Sequence, residues 1–331
     1  MGLQKAGNFV SQHAIYFVLI ALVGVMAFIN PLFISFRSLN DILFQSATRM
    51  IIALGAMFAI LTAGADLSAG RMVGLAAVVS ASMLQVPDYL RLFFPNLPQL
   101  PLFVPILIAI IACTFFGLIN GYIVSRLSVP PFIATLGTMV IIYGINSIYF
   151  DMPPNQSQPI GGLRADFTNL GSGAIYSIPY IVIIAVIVTV LMWVVMNKTR
   201  FGKNTYAIGG NVNAARVSGI NVERTLLVMY VIAGALYGLA GVLESARTGG
   251  ATNNYGNGYE LDAIAACVVG GLSPTGGTGT VQGIVAGVLI LVIINYGLTF
   301  IGLNPYWQMI IKGLIIVSAV ALDIRKSLAK K

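Results

Sequence analysis

An all-α integral membrane bundle of about ten helical spans is the fold this sequence predicts, and three observations predict it. Of 331 residues, 58% are hydrophobic and only 8% are charged, whereas a soluble domain carries about 25% charge. Mean hydropathy is +0.91. Apolar runs of roughly 20 residues recur along the chain, the length that crosses a hydrocarbon core about 30 Å thick. Ten such runs use about 200 residues and leave no length for a separate soluble core. Residues 1–331 therefore read as a single membrane domain, and a soluble enzyme, a disordered chain and a collagen-like chain are excluded.

The first run, residues 14–33, lacks charge and has no small-residue cleavage site behind it, so it reads as a retained helix. The second, 42–63, opens after Asn40-Asp41, both good N-cap residues. The third, 68–86, stops before Pro87-Asp88, and the fourth, 102–125, is uncharged. Pro131 starts the fifth, 131–150, because the first helical residue needs no N–H partner. A polar stretch, 151–177, leads to the sixth, 178–196, where Trp193 reads as an interfacial anchor. Residues 197–224 form the longest charged segment, and the seventh run follows at 225–246. The eighth piece, 260–272, is too short to span and reads as a broken or re-entrant helix, tolerated only inside protein. The ninth is 279–300, and Asn304-Pro305 cap and start the tenth, 306–322.

A net charge of +8 suits either nucleic acid or a membrane protein with basic cytoplasmic loops. The basic residues fall between apolar runs and form no stripe, so no nucleic-acid partner is expected. With a cytoplasmic N-terminus and ten crossings, the inner side holds Lys5, Arg71, Arg126, Lys198, Arg200, Lys203, Arg216, Arg224, Arg325, Lys326, Lys330 and Lys331. The outer side holds Arg37, Arg91, Arg164 and Arg247. That asymmetry puts both termini in the cytoplasm.

Cys113 and Cys267 both lie in apolar runs and read as small buried residues. His13 is the sole histidine, so neither a metal site nor histidine catalysis is expected. The Gly202-Lys203 pair lacks the flanking residues of a phosphate loop, because Asn204 stands where a magnesium-binding hydroxyl is needed.

Small residues at i, i+4 spacing, Gly117/Gly121, Gly234/Gly238 and Gly279/Gly283/Gly287, read as ridges for close helix approach. Arg49, Glu244 and Lys312 are charges inside spans, where structural pairing is favoured over an ion relay: Glu244 faces Arg49 or Lys312, and Arg247 sits one turn on. Residues 62–70 form a polar break in which Asp66 and Ser68 can cap the next helix or build a gate. If residues 1–150 and 178–331 are two five-helix halves, they are inverted, since five is odd. The segment around Glu260 and Asp262 then matches that break. Asn120, Thr135, Asn146 and Asn295 are uncharged polar groups within apolar spans, suited either to a neutral solute path or to interhelical bonds.

Residues Asn213, Ala214, Ala215, Arg216, Val217, Ser218 and Gly219 resemble the cytoplasmic motif of ABC importer permeases, whose short helix docks on the ATPase. Asn213 stands where that motif has glutamate, and the spacing to Gly219 is kept. The stretches GADLSAG (64–70), GGN (209–211), SGI (218–220) and AIAACVVGG (263–271) resemble bacterial monosaccharide permeases over nearly the whole chain. NKTRFGKN (197–204), YELDAIAACVVGG (259–271) and NYGLTFIGLNPYW (295–307) are most similar to the galactose/methyl-galactoside branch.

The resemblance implies a multi-pass protein of the bacterial inner membrane that works as a pair of permease subunits in lipid. Its partners would be a cytoplasmic ATP-binding subunit and a periplasmic sugar-binding protein. Coupling would pass through 197–224, ATP would be hydrolysed on the partner, and this chain would need no cofactor. Another sugar, such as ribose, is the alternative cargo. An ion-coupled carrier is the rival from another class, and the coupling motif and the lack of midplane acids in helices 4, 5, 6 and 9 oppose it.

Overall fold

The computed structural model describes residues 14–328, so Lys5, His13, Lys330 and Lys331 lie outside the described residues. Among the described residues the chain forms α1 (Ala14–Ile29), α2 (Phe36–Leu61), α3 (Ala69–Met83), α4 (Phe103–Ser125) and α5 (Pro131–Asp151). These are followed by α6 (Ala165–Ser172), α7 (Tyr180–Lys198), α8 (Arg200–Gly210), α9 (Val212–Val217) and α10 (Val222–Thr248). The last three are α11 (Tyr259–Val269), α12 (Val281–Phe300) and α13 (Pro305–Leu328). A two-residue hairpin pairs Ala174–Ile175 with Ile178–Pro179 ahead of α7. Six of these helices, α2, α4, α5, α7, α10 and α12, are long and apolar enough to cross a membrane.

Local chemistry sets the helix ends. Ser35 starts α2, its hydroxyl accepting from Ser38 N at 3.1 Å, six residues earlier than the expected start. Asn40 and Asp41 therefore lie inside the helix, where the Tyr296 hydroxyl donates to Asp41 Oδ2 at 3.2 Å. Thr280 caps α12 by accepting from Gly283 N at 3.0 Å. The eighth piece is α11, about 16 Å long at 1.5 Å per residue, and too short to span alone.

The loops sort to two ends. At one end Val86 N donates to Gly162 O at 2.8 Å, and Ile160 pairs with Ala251 through 2.9 and 3.0 Å bonds. At the other, Gly277 N donates to Leu61 O at 2.9 Å and Arg126 pairs with Glu223 at 2.6 Å.

Helix packing exchanges elements between the two halves. The α10 helix lies against α3 and α4, while α2 lies against α11 and α12. The two exchanged helices also touch each other. In α2, 78% of the apolar window is buried inside the molecule, against 28% in α4, α5 and α7, so α2 is central and those three are peripheral.

Two expected glycine ridges face one another. A Cβ at Gly117 would collide with the Tyr230 carbonyl oxygen, and one at Gly234 would lie 2.5 Å from Cys113 O. Gly121 and Gly238 line the same α4–α10 seam. Gly283 and Gly287 press on Gly270 and Ala266 of the α11 segment. Gly279 does not belong to that ridge, because it lies before α12 begins.

Candidate functional site

The charged segment 197–224 folds into two helices with firm ends. Thr199 caps α8 by accepting from Gly202 N at 3.2 Å, and Asn211 caps α9 by accepting from Ala214 N at 2.9 Å. Gly219, at φ +81°, takes the left-handed turn that ends α9, and Asn221 then caps α10. The Tyr206 hydroxyl donates to Gly279 O at 3.0 Å, and burial pushes its pKa up, so the phenol stays a donor.

Within α9 only Ala215 is buried, packed with Ile208 and Val222. Asn213, Ala214, Arg216, Ser218 and Gly219 are exposed. A short helix pinned by one alanine thus presents its remaining surface outward. Sequence reasoning gave no role of its own to Val217, an apolar side chain of the motif that is 90% exposed on that surface. Its signal was an apolar residue placed away from the buried Ala215 within a polar segment.

The break between α2 and α3 collects Asp66, Ser68, Asn120 and Thr135. Asp66 Oδ1 accepts from Ser68 N at 3.0 Å and from Ser68 Oγ at 2.6 Å. The expected cap by Ser68 is absent: its hydroxyl donates to Asp66 and accepts from Asn120 instead. Asn120 of α4 donates to Ser68 Oγ at 2.9 Å. Thr135 of α5 accepts from Leu67 N and donates to Ala65 O, both at 3.1 Å. Asp66 is 2% exposed, and among the described residues no lysine or arginine pairs with it. A carboxylate so placed draws its stabilisation from hydrogen bonds alone, and the break depends on it.

Asp66→Asn is expected to cut transport at least tenfold while lowering stability by about 1 kcal/mol, the worth of a helix cap. Uptake rate and melting temperature, measured side by side, check this. Normal transport, or loss in proportion to lost folded protein, reduces Asp66 to a simple cap.

The other two polar candidates lie elsewhere. Asn146 is 2% exposed on α5, beside Gly74 of α3. Asn295 of α12 lines a small cavity with Arg49, Tyr259 and Asp262.

The intramembrane charges do pair: of the candidates for Glu244 it is Arg247 that takes it, while Arg49 and Lys312 meet an unexpected partner. Arg49 of α2 and Lys312 of α13 both bind Asp262 of α11, at 2.6 and 2.7 Å. Glu244 pairs instead with Arg247 on its own helix at 2.6 Å and accepts from Thr48 and Tyr259, each at 2.9 Å. Glu244 is nine-tenths or more buried and its lone pairs are taken by these three partners, so it has no room for Arg49 or Lys312. Arg71, assigned to the cytoplasmic surface by charge counting, has its guanidinium 4.2 Å from the Tyr143 ring centre within α5. Its Nη2 donates to Asn257 Oδ1, in the turn before α11, at 2.8 Å.

The family model for the branched-chain amino acid transport system permease component matches residues 38–320. The chain belongs to this permease family. Similarity to individual permeases extends end to end. A galactose/methyl galactoside import permease of Haemophilus influenzae is 51% identical over 99% of this chain and 98% of its own. The Escherichia coli K12 protein of that description is 51% identical over 98% and 97%. A ribose import permease of Haemophilus influenzae is 37% identical over 96% and 95%. No solved structure matches this permease.

Proposed function

We propose that this chain is the membrane permease subunit of an ATP-driven importer for galactose and methyl galactoside. It is a transport subunit and not an enzyme. The observation that carries the reading is the 51% identity along nearly the whole chain to galactose/methyl galactoside permeases, against 37% to a ribose permease. Its ATP would be hydrolysed on a cytoplasmic partner engaging α9, and sugar would arrive from a periplasmic binding protein. The protein would work as two copies in the bacterial inner membrane, with about ten crossings each and both termini in the cytoplasm.

We read the halves as inverted repeats exchanging their second helices. The contacts of α10 with α3 and α4, mirrored by those of α2 with α11 and α12, support this. So do the contacts of α3 with α5 and of α11 with α13. Alternating access would then open the two breaks, before α3 and before α11, toward opposite sides in turn.

Reconstitution tests the reading. Vesicles holding the permease, its ATP-binding subunit and a galactose-binding protein are expected to take up galactose only with internal ATP, and several-fold faster than ribose with its own binding protein. Uptake that needs no ATPase and collapses with a protonophore would overturn it in favour of an ion-coupled carrier.

A further inference from the structure

The side chains around Arg71 form a polar surface at mid-depth of the bundle. The α5 helix starts at Pro131, so Tyr143 sits about 18 Å along a helix about 31 Å long. Arg71, on the first turn of α3, reaches that level, its guanidinium 4.2 Å from the Tyr143 ring centre. Its Nη2 donates to Asn257 Oδ1 at 2.8 Å, while Nη1 is buried without a partner. Among the described residues no carboxylate is within ion-pair distance of Arg71. Glu260, 6% exposed on the first turn of α11, lies against Gly70, one residue away. Tyr143 is 39% exposed and Asn257 is exposed, so this face is open.

A guanidinium turned toward hydrocarbon at this depth is costly, so such groups face water or a polar ligand. The group chemistry says which. One aromatic face takes the C–H side of a sugar ring, as aromatic surfaces do for apolar ligand faces. The free Arg71 donor and the Asn257 amide suit hydroxyls, and Asn146 Oδ1, buried and unpartnered one turn beyond Tyr143, adds an acceptor. Arg71 and Glu260 cancel in charge, which disfavours an anion and suits a neutral polyol.

We propose that Arg71, Tyr143, Asn257 and Glu260, with Asn146 behind them, form a transient pyranose-binding subsite in the translocation path. The proposal rests on the galactose permease reading above. Asn257 lies between Gly256 and Gly258, at φ +76° and +80°, and a Cβ at Gly256 would collide with the Gly70 carbonyl oxygen. The 256–258 turn is thus pressed on the first turn of α3, and its withdrawal would carry Asn257 and Glu260 away from Arg71. With the turn seated, Arg71 Nη1 and Asn146 Oδ1 are covered, so the subsite admits the sugar as the turn withdraws and is closed when it reseats.

The complete complex in proteoliposomes tests this with galactose as the probe. The natural cysteines, Cys113 and Cys267, are fully buried and give a silent background. Asn257→Cys is expected to react with a water-soluble methanethiosulfonate, and saturating galactose to slow that reaction several-fold where sucrose does not. Ile141→Cys, 55% exposed on the opposite side of α5, is the unreactive control. Tyr143→Leu is expected to cut galactose uptake at least tenfold while ATP hydrolysis stimulated by the loaded binding protein is retained. An inert Asn257→Cys, labelling indifferent to galactose, or wild-type uptake by Tyr143→Leu each overturns the subsite. Failure of the wild-type complex to import galactose overturns the transport reading instead, and water-accessible, galactose-insensitive labelling of Asn257→Cys would then mark a polar surface with no sugar role.

Discussion

Ala215→Asp is expected to reduce ATP-driven uptake to background while the protein still inserts and accumulates in the membrane. Ala215 is 4% exposed and holds α9 against Ile208 and Val222. Burying an unpaired carboxylate there costs several kcal/mol. Releasing a six-residue helix that rests on one small apolar contact costs less, so the helix leaves its seat and the bundle survives. ATP hydrolysis on the partner then moves nothing. Val217→Asp approaches the same helix from outside, altering a side chain that is 90% exposed and leaving the seat intact. It is expected to weaken association with the ATP-binding subunit. Uptake, ATPase rate and co-purification of the subunit, measured on both variants and on the mild control Ala215→Ser, separate the two effects. Wild-type uptake by both substitutions would remove α9 from the coupling route.

The second large effect is on stability. Asp262→Ala strands Arg49 and Lys312, which share that one carboxylate from α2 and α13. Removing one partner of a buried ionic group costs about 3–5 kcal/mol. About a quarter of each cation stays accessible, at 28% and 27% exposure, so the lower end, about 3 kcal/mol, is expected. The melting temperature in detergent should fall accordingly, and Asp262→Glu should recover part of the loss. Arg49→Leu combined with Asp262→Ala and Lys312→Leu should be nearer wild type than Asp262→Ala alone, since uncompensated charge and not lost attraction carries the cost. A fall of less than 1 kcal/mol in Asp262→Ala would place these charges in water.

The apolar runs were legible in the sequence because each helix must be apolar over most of its own length. The starts of α5 and α13 at Pro131 and Pro305, and the shortness of α11, followed from local composition alone. The start of α2 did not. Ser35 and Asn40 are both competent caps, and the neighbouring 3₁₀ turn Pro31–Ile34 decides between them. Partners across the bundle were illegible for a different reason. Nothing near Glu244 in sequence states that Thr48 and Tyr259 will occupy its lone pairs, nor near Arg49 that Asp262 stands opposite. Nor does a count of loop charges state that Arg71 will meet Tyr143 of α5 and Asn257 of the turn before α11. At the break, Asp66 and Ser68 were visible as a polar interruption, whereas the anchoring of that break by Asn120 and Thr135 depends on α4 and α5 meeting it.

The packing of α10 on α3 and α4 bears on how the protein is made. The α4 helix ends at Ser125 and α10 at Thr248, so about 120 residues must leave the ribosome between them. At about 5–20 residues per second that interval lasts roughly 6–25 seconds. Through it, Gly117 and Gly121 have no helix to meet, and the amino-terminal half stands in the bilayer with an open groove. The nascent chain is therefore obliged to wait for its own distant segment, shielded by lipid, the insertion machinery or a chaperone. Two fragments cut within 151–177 and synthesised separately should recover activity only when both are present, because each half is finished by a helix belonging to the other.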